Sequence, residues 1–472
     1  MRELLELCGY EPREIDTESS RVGKALEAVG ITDADLPQAK VRISTYFDVE
    51  LSGVRKVLGA ILRDFTDVVL LREREGTKVA FSFMAPGCQV LGSTMMANYD
   101  NVAWVNSNYT VLIVLSSMFG KGAGLMEAAE RLWLRTGGVA HCGNVKCALG
   151  SVALNIVPKP DLAVTSGFLC DTGSKTIGLI QDWFGIPGYY IDCWQDRELS
   201  EFPHAKRSTS FYAKSLRTLA EDVGEQFGIE ITDEMLWRTL AVRKRYSQAK
   251  ERVHDLMRHS DPIPMSSTHL HLLFALDEIV FKGDEAASLT VALDTLADEL
   301  LERANKGIGA TPKGAPRVLG VLPCHHSDPR WEHVANEAGI AIAASDFEFS
   351  SSQGYDGAGV LDPDDPYDVV GQHLHSAAQQ ILGGRLAIIL DTCRRLHLDG
   401  VLNHYHVGCR YVAGDALPIK NVVTKELGIP VLTFEWDNFD PRSYNHEQYR
   451  ANLETFLGMM GAEGNVPAGP LT

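Results

Sequence analysis

A unit of strand, cysteine, helix and strand occurs twice in the chain, and it limits the possible folds more than any other feature. In the first copy, the apolar segment DLAVTSGF leads to Cys170, a helical stretch, the tripeptide GIP at 185–187 and the segment GYYI. In the second copy, DGVLNHYHVG leads to Cys409, a helical stretch, GIP at 428–430 and VLTF. Both cysteines are therefore expected where a parallel strand ends and a helix begins, which is where open α/β sheets bind their ligands.

Both halves of the chain predict an α/β fold with a doubly wound, Rossmann-like parallel sheet, and a helical region joins the two. Short apolar strands alternate with helical stretches in each half. In the first half the predicted strands cover residues 68–71, 79–83, 162–166 and 188–192. Between the halves, apolar residues recur at spacings of three and four, which indicates helices, and Thr232 is predicted to cap one of them.

The predicted organisation has five parts. They are a helical lead-in (1–40), a first α/β domain with Cys142 and Cys170 (41–195), a helical region with a linker (196–315), a second α/β domain with Cys409 (316–460) and a flexible tail (461–472).

Charge and composition exclude several classes of protein. The 472 residues include 44 Lys and Arg against 62 Asp and Glu, a formal net charge of −18, which argues against a nucleic-acid partner. With 45% hydrophobic and 22% charged residues, the chain is neither disordered nor collagen-like. Apolar runs such as VLIVL are far shorter than the ~20 residues of a membrane span, and the N-terminus has no apolar signal core. We expect a cytoplasmic protein that does not bind a membrane.

The cysteines are distributed as single residues. There are nine, and no CxxC pair occurs, which excludes zinc ribbons, thioredoxin motifs and bacterial ferredoxin motifs. An odd number of cysteines without a signal peptide favours free thiols or metal ligands over a disulfide framework. Any metal site must therefore be assembled from distant parts of the chain.

A third cysteine, Cys142, has the same predicted setting as Cys170 and Cys409, because it precedes a helix after a glycine-rich turn. Helix N-termini stabilise thiolates. Three such thiolates would hold three irons of a cubane cluster and leave the fourth iron open. The alternative is that these cysteines are small buried residues of ordinary βαβ units. Cys147 and Cys193 are not expected to be ligands.

A zinc or mononuclear iron site is a rival interpretation. The run Cys324-His325-His326 follows the apolar segment RVLGVLP, and His404 and His406 precede Cys409. Alternate residues of a strand share one face, which would suit a metal. Polar residues are also usual at the end of any strand in an α/β cleft, so we interpret His404 and His406 as contacts of the substrate or of the metal ligands.

The cysteine motifs resemble those of the 2-hydroxyacyl-CoA dehydratase and benzoyl-CoA reductase subunits, which are iron–sulfur proteins. The resemblance covers roughly residues 41–460. HYHVGC is similar to the family's HYNRSC-type motif and contains Cys409, CGNVK is similar to its CGYxR-type motif and contains Cys142, and SGFLC is similar to its NNxC motif and contains Cys170. The resemblance implies that these cysteines bind one 4Fe-4S iron–sulfur cluster.

A further segment, TYFDVEL, resembles the family's SKFPxEL-type segment. Thr45 stands at the position of the family's catalytic serine and keeps a hydroxyl, and Glu50 matches the family's glutamate, so the resemblance implies that both are catalytic. The usual proline is Asp48 here, and in HYHVGC the family's Asn-Arg pair is replaced by His406 and a valine. The alternative for Thr45 and Glu50 is a helix N-cap with its first-turn acid.

The resemblance implies a lyase that converts a 2-hydroxyacyl-CoA thioester to an enoyl-CoA. In the family, one low-potential electron makes a ketyl radical of the thioester carbonyl and lets the C2 hydroxyl leave, so the cofactor supplies the difficult step. The resemblance also implies a homologous second subunit and a separate ATP-dependent iron–sulfur activator, and no P-loop motif occurs in this chain. An aryl-CoA (benzoyl-CoA-type) reductase subunit and a non-catalytic electron-relay subunit remain alternatives.

Overall fold

The computed structural model describes most of the chain in ten segments. The described residues are 1–106, 108–133, 141–167, 170–192, 206–321, 328–348, 364–376, 382–406, 408–437 and 439–461.

Two parallel sheets of four strands each form the centre of the fold. The strands are β1 (Lys78–Ser82), β2 (Val102–Val105), β3 (Leu162–Ser166), β4 (Gly188–Ile191), β5 (Arg317–Val321), β6 (Ala341–Ser345), β7 (Gly400–Tyr405) and β8 (Val431–Glu435). The first sheet has the order β2-β1-β3-β4 and the second β6-β5-β7-β8. Neighbours in both sheets run parallel, with Ala163 opposite Gly188 in one and Val401 opposite Val431 in the other. The predicted α/β fold with two parallel sheets is confirmed.

Helices precede, connect and cover the sheets. The described α-helices are α1 (Arg2–Leu7), α2 (Pro12–Ala28), α3 (Leu36–Tyr46), α4 (Ser52–Leu70), α5 (Cys88–Asn98), α6 (Asn108–Leu112), α7 (Ala123–Trp133), α8 (Gly143–Ala153), α9 (Asp171–Phe184), α10 (Lys206–Phe227), α11 (Asp233–His259), α12 (His269–Glu278), α13 (Gly283–Lys306), α14 (Arg330–Glu337), α15 (Pro366–Ser376), α16 (Leu382–Leu396), α17 (Arg410–Leu427) and α18 (His446–Met459). A π-helical segment, Ile113–Met118, continues α6.

The predicted strand at residues 68–71 is wrong, because this apolar run is the end of α4. Buried side chains of α4 recur at helical spacing, as at Val54, Leu58, Ile61 and Phe65, and the last apolar residues continue that stripe. A short apolar run fits a strand as well as a buried helix, and only the residues before it decide between them. The chain therefore enters its first strand only at Lys78.

The helical region between the sheets agrees with its prediction over the part that the structure describes. Helices α10 to α13 follow one another from Lys206 to Lys306. Thr232 caps α11 as predicted, since its side chain accepts a hydrogen bond from the backbone N–H of Met235. Helix α13 packs against α4 so closely that an added Cβ at Gly53 would lie 2.6 Å from Leu296 Cα. Close packing of this kind fixes the N-terminal helices on the helical region.

The described helices include none with the combination of length and apolar character that crossing a membrane requires. The predicted flexible tail lies almost wholly outside the described residues, and the domain boundaries stay predictions.

Candidate functional site

Cys170 and Cys409 occupy equivalent positions in the two sheets. Cys170 lies between β3 and α9, and Cys409 between β7 and α17, and each is the N-cap residue of its helix. Strands β3 and β7 are third in their sheets, and both helices end at a glycine in the left-handed conformation. The predicted repeat of strand, cysteine and helix is therefore present, and it delivers both cysteines to the carboxyl ends of parallel strands.

Cys142 is the N-cap residue of α8 and lies directly against the second sheet's cysteine loop. A Cβ added to Gly408 would lie 3.0 Å from Cys142 N and 3.2 Å from its Cα, so any larger residue would require this backbone to move apart by a few tenths of an ångström. The first amide of α8, on Gly143, donates a 2.8 Å hydrogen bond to Asp437 Oδ2. These contacts bring Cys142, from the first half of the chain, next to Cys409 from the second.

The three thiols share one electrostatic environment. Cys142 is 8% exposed, while Cys170 and Cys409 are partly exposed. Burial raises the pKa of Cys142 well above its usual value, and the negative charges of Asp437, Cys170 and Cys409 act in the same direction. A cationic group among these sulfurs would offset that effect, because metal ligands bind as thiolates.

Hydrogen bonds orient Cys170 at the start of its helix. Its Sγ accepts a hydrogen bond from Gly173 N at 3.2 Å and lies 3.0 Å from Thr172 Oγ1. The N–H groups at a helix N-terminus stabilise negative charge on such a sulfur.

The two predicted histidines lie in different surroundings. His406 is buried beside the site, since the Cys409 N–H donates to its carbonyl oxygen at 3.1 Å. Burial lowers the pKa of His406, against the opposing effect of Asp437. His404 is fully buried, its ring packs edge-on against Trp331 at 5.7 Å, and burial lowers its pKa to about 3. His406 is thus the one of the pair that lies at the cysteine loop.

Thr45 and Glu50 lie on the surface formed by α3, the loop that follows it, and α13. Thr45 is exposed in the last turn of α3, and Glu50 forms a 2.6 Å ion pair with Arg303. The alternative that Thr45 is a helix N-cap is therefore wrong, because the helix ends there instead of beginning. Asp48, which stands where the family has proline, accepts a 3.1 Å hydrogen bond from Ser266 N and fixes this loop to the helical region.

The structure describes only one of the remaining sequence candidates. Cys147 is buried within α8, its Sγ lies 4.0 Å from Ser151 Oγ, and burial raises its pKa to about 12. Cys193 and the run Cys324-His325-His326 lie outside the described residues.

Sequence reasoning missed one group of potential ligands. His254, His269 and Glu348 are all buried, and one potential ligand atom from each lies within 4.8 Å of the others. They come from α11, α12 and the turn after β6, so no local spacing connects them. The repeated histidines of the segment HLHLL were the only trace of this group in the sequence.

Comparison with known proteins gives one family and two relatives. The family model for "2-hydroxyglutaryl-CoA dehydratase, D-component" matches residues 110–460. The subunit alpha of (R)-2-hydroxyglutaryl-CoA dehydratase from Acidaminococcus fermentans is 24% identical over 65% of this chain and 61% of its own length. The lactoyl-CoA dehydratase subunit alpha from Anaerotignum propionicum is 22% identical over 66% of this chain and 71% of its own length.

This chain thus matches less than two thirds of the length of the Acidaminococcus subunit. The family model, in contrast, covers well over half of the chain, including all three cysteines that the structure brings together. The chain belongs to the 2-hydroxyglutaryl-CoA dehydratase D-component family.

Proposed function

We propose that this chain is a subunit of a 2-hydroxyacyl-CoA dehydratase and that Cys142, Cys170 and Cys409 hold one 4Fe-4S cluster. One iron of this cluster has no cysteine ligand and is left for the substrate. The observation that carries the proposal is the position of the three cysteines, each at the start of a different helix and all within one electrostatic environment. Cysteine thiolates are the usual ligands of such clusters.

The residues present fit a cluster in three respects. Their thiols come from distant parts of the chain, which is how a site without a CxxC motif must be built. Each is followed by a helix, whose N–H groups and positive dipole end favour an anionic cluster. The raised pKa of Cys142 also shows that its thiolate is costly without a compensating positive charge nearby.

The protein's own part in the reaction is to hold the cysteine ligands in position and to exclude water from them. When bound, the cluster would supply a low-potential electron and an open iron able to polarise a thioester or hydroxyl oxygen. The Gly173 amide holds Cys170 Sγ in place, and the Gly143–Asp437 hydrogen bond holds Cys142 against the opposite sheet. Burial keeps water from Cys142 and lowers the pKa of His406, which favours the neutral form of its ring, against the opposing effect of Asp437.

The substrate, the partners and the catalytic residues belong to the same proposal. The substrate is a CoA thioester with a hydroxyl at C2, and Thr45 and Glu50 act on it as the family's serine and glutamate would. Both relatives are named as a subunit alpha, which supports a complex with a second subunit, and the resemblance of the motifs implies that this subunit is homologous. The same resemblance implies that the electron comes from a separate ATP-dependent iron–sulfur activator, and the complex is expected to work in the cytoplasm.

The dehydratase interpretation is favoured over an aryl-CoA reductase because both relatives are named as dehydratases. In a reductase subunit the electrons would reduce the ring of the acyl group, and no water would be released. Product analysis with a 2-hydroxyacyl-CoA and with an aryl-CoA would separate the two reactions.

The experiment that tests the cluster is metal analysis of the anaerobically purified chain with single cysteine variants. We expect about four irons and four sulfides per chain, with an electron paramagnetic resonance signal after reduction. Cys142→Ala, Cys170→Ala and Cys409→Ala should each lose most of the iron. Cys147→Ala is the matched control, since it lies on the same helix as Cys142 and should keep the full iron content. Full iron content in all three ligand variants would refute the proposed ligand set.

A further inference from the structure

A second group of potential metal ligands lies outside the cysteine site. His254 comes from α11, His269 from the first turn of α12, and Glu348 from the turn that follows β6. All three are at least nine-tenths buried, with exposed fractions of 2%, 1% and 3%. The group therefore joins two helices of the helical region to the carboxyl end of a strand of the second sheet.

The distances within the group match those around a single metal ion. Glu348 Oε1 lies 3.1 Å from His254 Nδ1 and 3.6 Å from His269 Nε2. Two ligand atoms that are each about 2.1 Å from one zinc ion, with tetrahedral angles between them, are about 3.4 Å apart. The two imidazole rings face each other edge-on, with centroids 5.8 Å apart. One carboxylate oxygen thus already lies at ligand spacing from two imidazole nitrogens.

The histidine nitrogens are short of partners in the part of the chain that the structure describes. His254 Nε2 and His269 Nδ1 have no hydrogen-bond partner there. An imidazole nitrogen buried without a hydrogen bond is unfavourable.

The charges around the group are suited to a divalent cation. Glu348 Oε2 accepts a 3.1 Å hydrogen bond from Arg258 Nε, which leaves Oε1 directed at the two histidines. Arg258 in turn forms ion pairs with Glu251 and Asp255. The three carboxylates of Glu348, Glu251 and Asp255 therefore outnumber the one guanidinium of Arg258.

The backbone around the group is held firmly before any ion binds. Just before α12, Ser267 N donates a 2.7 Å hydrogen bond to Asn336 Oδ1, and Ser267 Oγ donates to the Ile342 carbonyl on β6 at 3.1 Å. These bonds fix the start of α12, and with it His269, against the strand that leads to Glu348. Fixed ligand positions favour tight and selective metal binding.

We propose that His254, His269 and Glu348 form a binding site for one divalent transition-metal ion, separate from the three cysteines. Two imidazoles and one carboxylate are the ligands of many zinc and mononuclear iron sites, whereas calcium and magnesium prefer oxygen ligands alone. The ion ties α11 and α12 to the second sheet, and its remaining coordination position is open to water or to another small ligand.

Zinc X-ray absorption spectroscopy tests the site in the full-length chain. Protein purified anaerobically and stripped with a chelator is given one equivalent of Zn²⁺ and dialysed. We expect the wild-type protein to retain the zinc with nitrogen and oxygen ligands at about 2.0–2.2 Å and with the outer-shell signal of imidazole. Zinc bound by the cysteines would instead show sulfur at about 2.3 Å.

Variants locate the ligands. His254→Gln and His269→Gln are expected to lose the nitrogen-bound zinc after dialysis, and zinc should raise the melting temperature of the wild type but not of either variant. His271→Gln is the matched control, because His271 is buried on the same helix but bonded to Ser117 Oγ instead. It should retain the zinc.

Several results would overturn the site: no retained zinc in folded wild-type protein, zinc bound only through sulfur, or undiminished zinc binding in folded His269→Gln. The wild-type spectrum decides the question even where a variant does not fold. Iron and sulfide measured on untreated samples report separately on the cysteines, so failure of this site and failure of the proposed cluster are distinguishable.

Discussion

The Gly143 amide donates a 2.8 Å hydrogen bond to Asp437 Oδ2 and so connects the helix of Cys142 to the loop after the last strand of the second sheet. The bond is partly buried, and the charge of Asp437 is also one of the causes that raise the pKa of Cys142. One carboxylate therefore affects both the position of a proposed ligand and its readiness to lose a proton.

Removing the Asp437 carboxylate should have two effects, one on the unfolding free energy and one on the reactivity of the Cys142 thiol. Asp437→Ala leaves the Gly143 N–H without its acceptor and should cost about 1–3 kcal/mol of unfolding free energy, measured by urea denaturation. Asp437→Asn keeps an acceptor oxygen and should cost less. Both variants remove a negative charge that raises the pKa of Cys142, so both should speed alkylation of Cys142 in cluster-free protein. Equal stability of the Ala and Asn variants would contradict the role of the hydrogen bond.

Gly408 is expected to be essential for the approach of Cys142 to Cys409. In Gly408→Ala the new Cβ would lie 3.0–3.2 Å from backbone atoms of Cys142, which cannot move as a side chain would. We expect a loss of about 1–3 kcal/mol in unfolding free energy together with reduced iron content.

Gly414→Ala is the control for this variant, because Gly414 lies in α17 and nothing is within 4 Å of an added Cβ there. It should be neutral or more stable by up to about 1 kcal/mol, since alanine favours a helix over glycine. If Gly408→Ala and Gly414→Ala lose the same amount of iron, the close approach of Gly408 to Cys142 does not explain the loss.

Asp48 should make stability depend on pH. Burial is the main cause that raises its pKa from 3.8 to about 6, and the charge of Glu50 adds to it. A carboxyl whose pKa is raised in the folded state contributes stability below its unfolded pKa, and this contribution disappears as the pH rises through about 6.

Asp48→Asn should therefore gain stability relative to the wild type at pH 7 but not at pH 3.5. The expected gain is about 1–3 kcal/mol, and urea denaturation at both pH values measures it. Asp100→Asn, at an exposed turn residue, is the control and should show no such difference. A larger gain at the lower pH would contradict the raised pKa.

The ion pair between Arg385 and Asp346 should matter far more than a surface pair on the same helix. Both side chains are fully buried, and Arg385 Nε donates to Asp346 Oδ2 at 2.8 Å. Arg385→Ala would leave a buried carboxylate behind and should cost about 3–5 kcal/mol of unfolding free energy. Arg395→Ala removes an exposed pair with Asp391 from α16 and should cost at most about 1 kcal/mol. If urea denaturation showed equal losses of unfolding free energy in Arg385→Ala and Arg395→Ala, the buried pair would contribute no more than the exposed one.

The features predictable from the sequence are those that local pattern determines. Cys170 and Cys409 could be placed because each stands between an apolar strand and a helix that ends in a GIP turn. Thr232 was recognised as a cap because capping depends on neighbouring residues alone. The end of α4 was misassigned as a strand because its last apolar residues, taken alone, fit either structure.

The remaining features depend on tertiary contacts that no spacing in the sequence reports. His254, His269 and Glu348 meet only because two helices pack on the end of β6. The sequence around Thr45 fits a helix start, although the chain leaves a helix there and the half-buried Asp48 then fixes the loop. Burial decides such cases, and burial is a property of the assembled fold.

The two sheets share one strand order, so that Cys170 and Cys409 occupy equivalent positions, and Cys142 lies outside this correspondence. Two equivalent halves would present an even number of thiols. The third comes from the connection between β2 and β3. The matching connection between β6 and β7 has a single cysteine, Cys393, which lies inside α16 and not at its start. The third proposed ligand therefore has no equivalent cysteine in the second half of the chain, so the proposed site is asymmetric although the two sheets share one strand order.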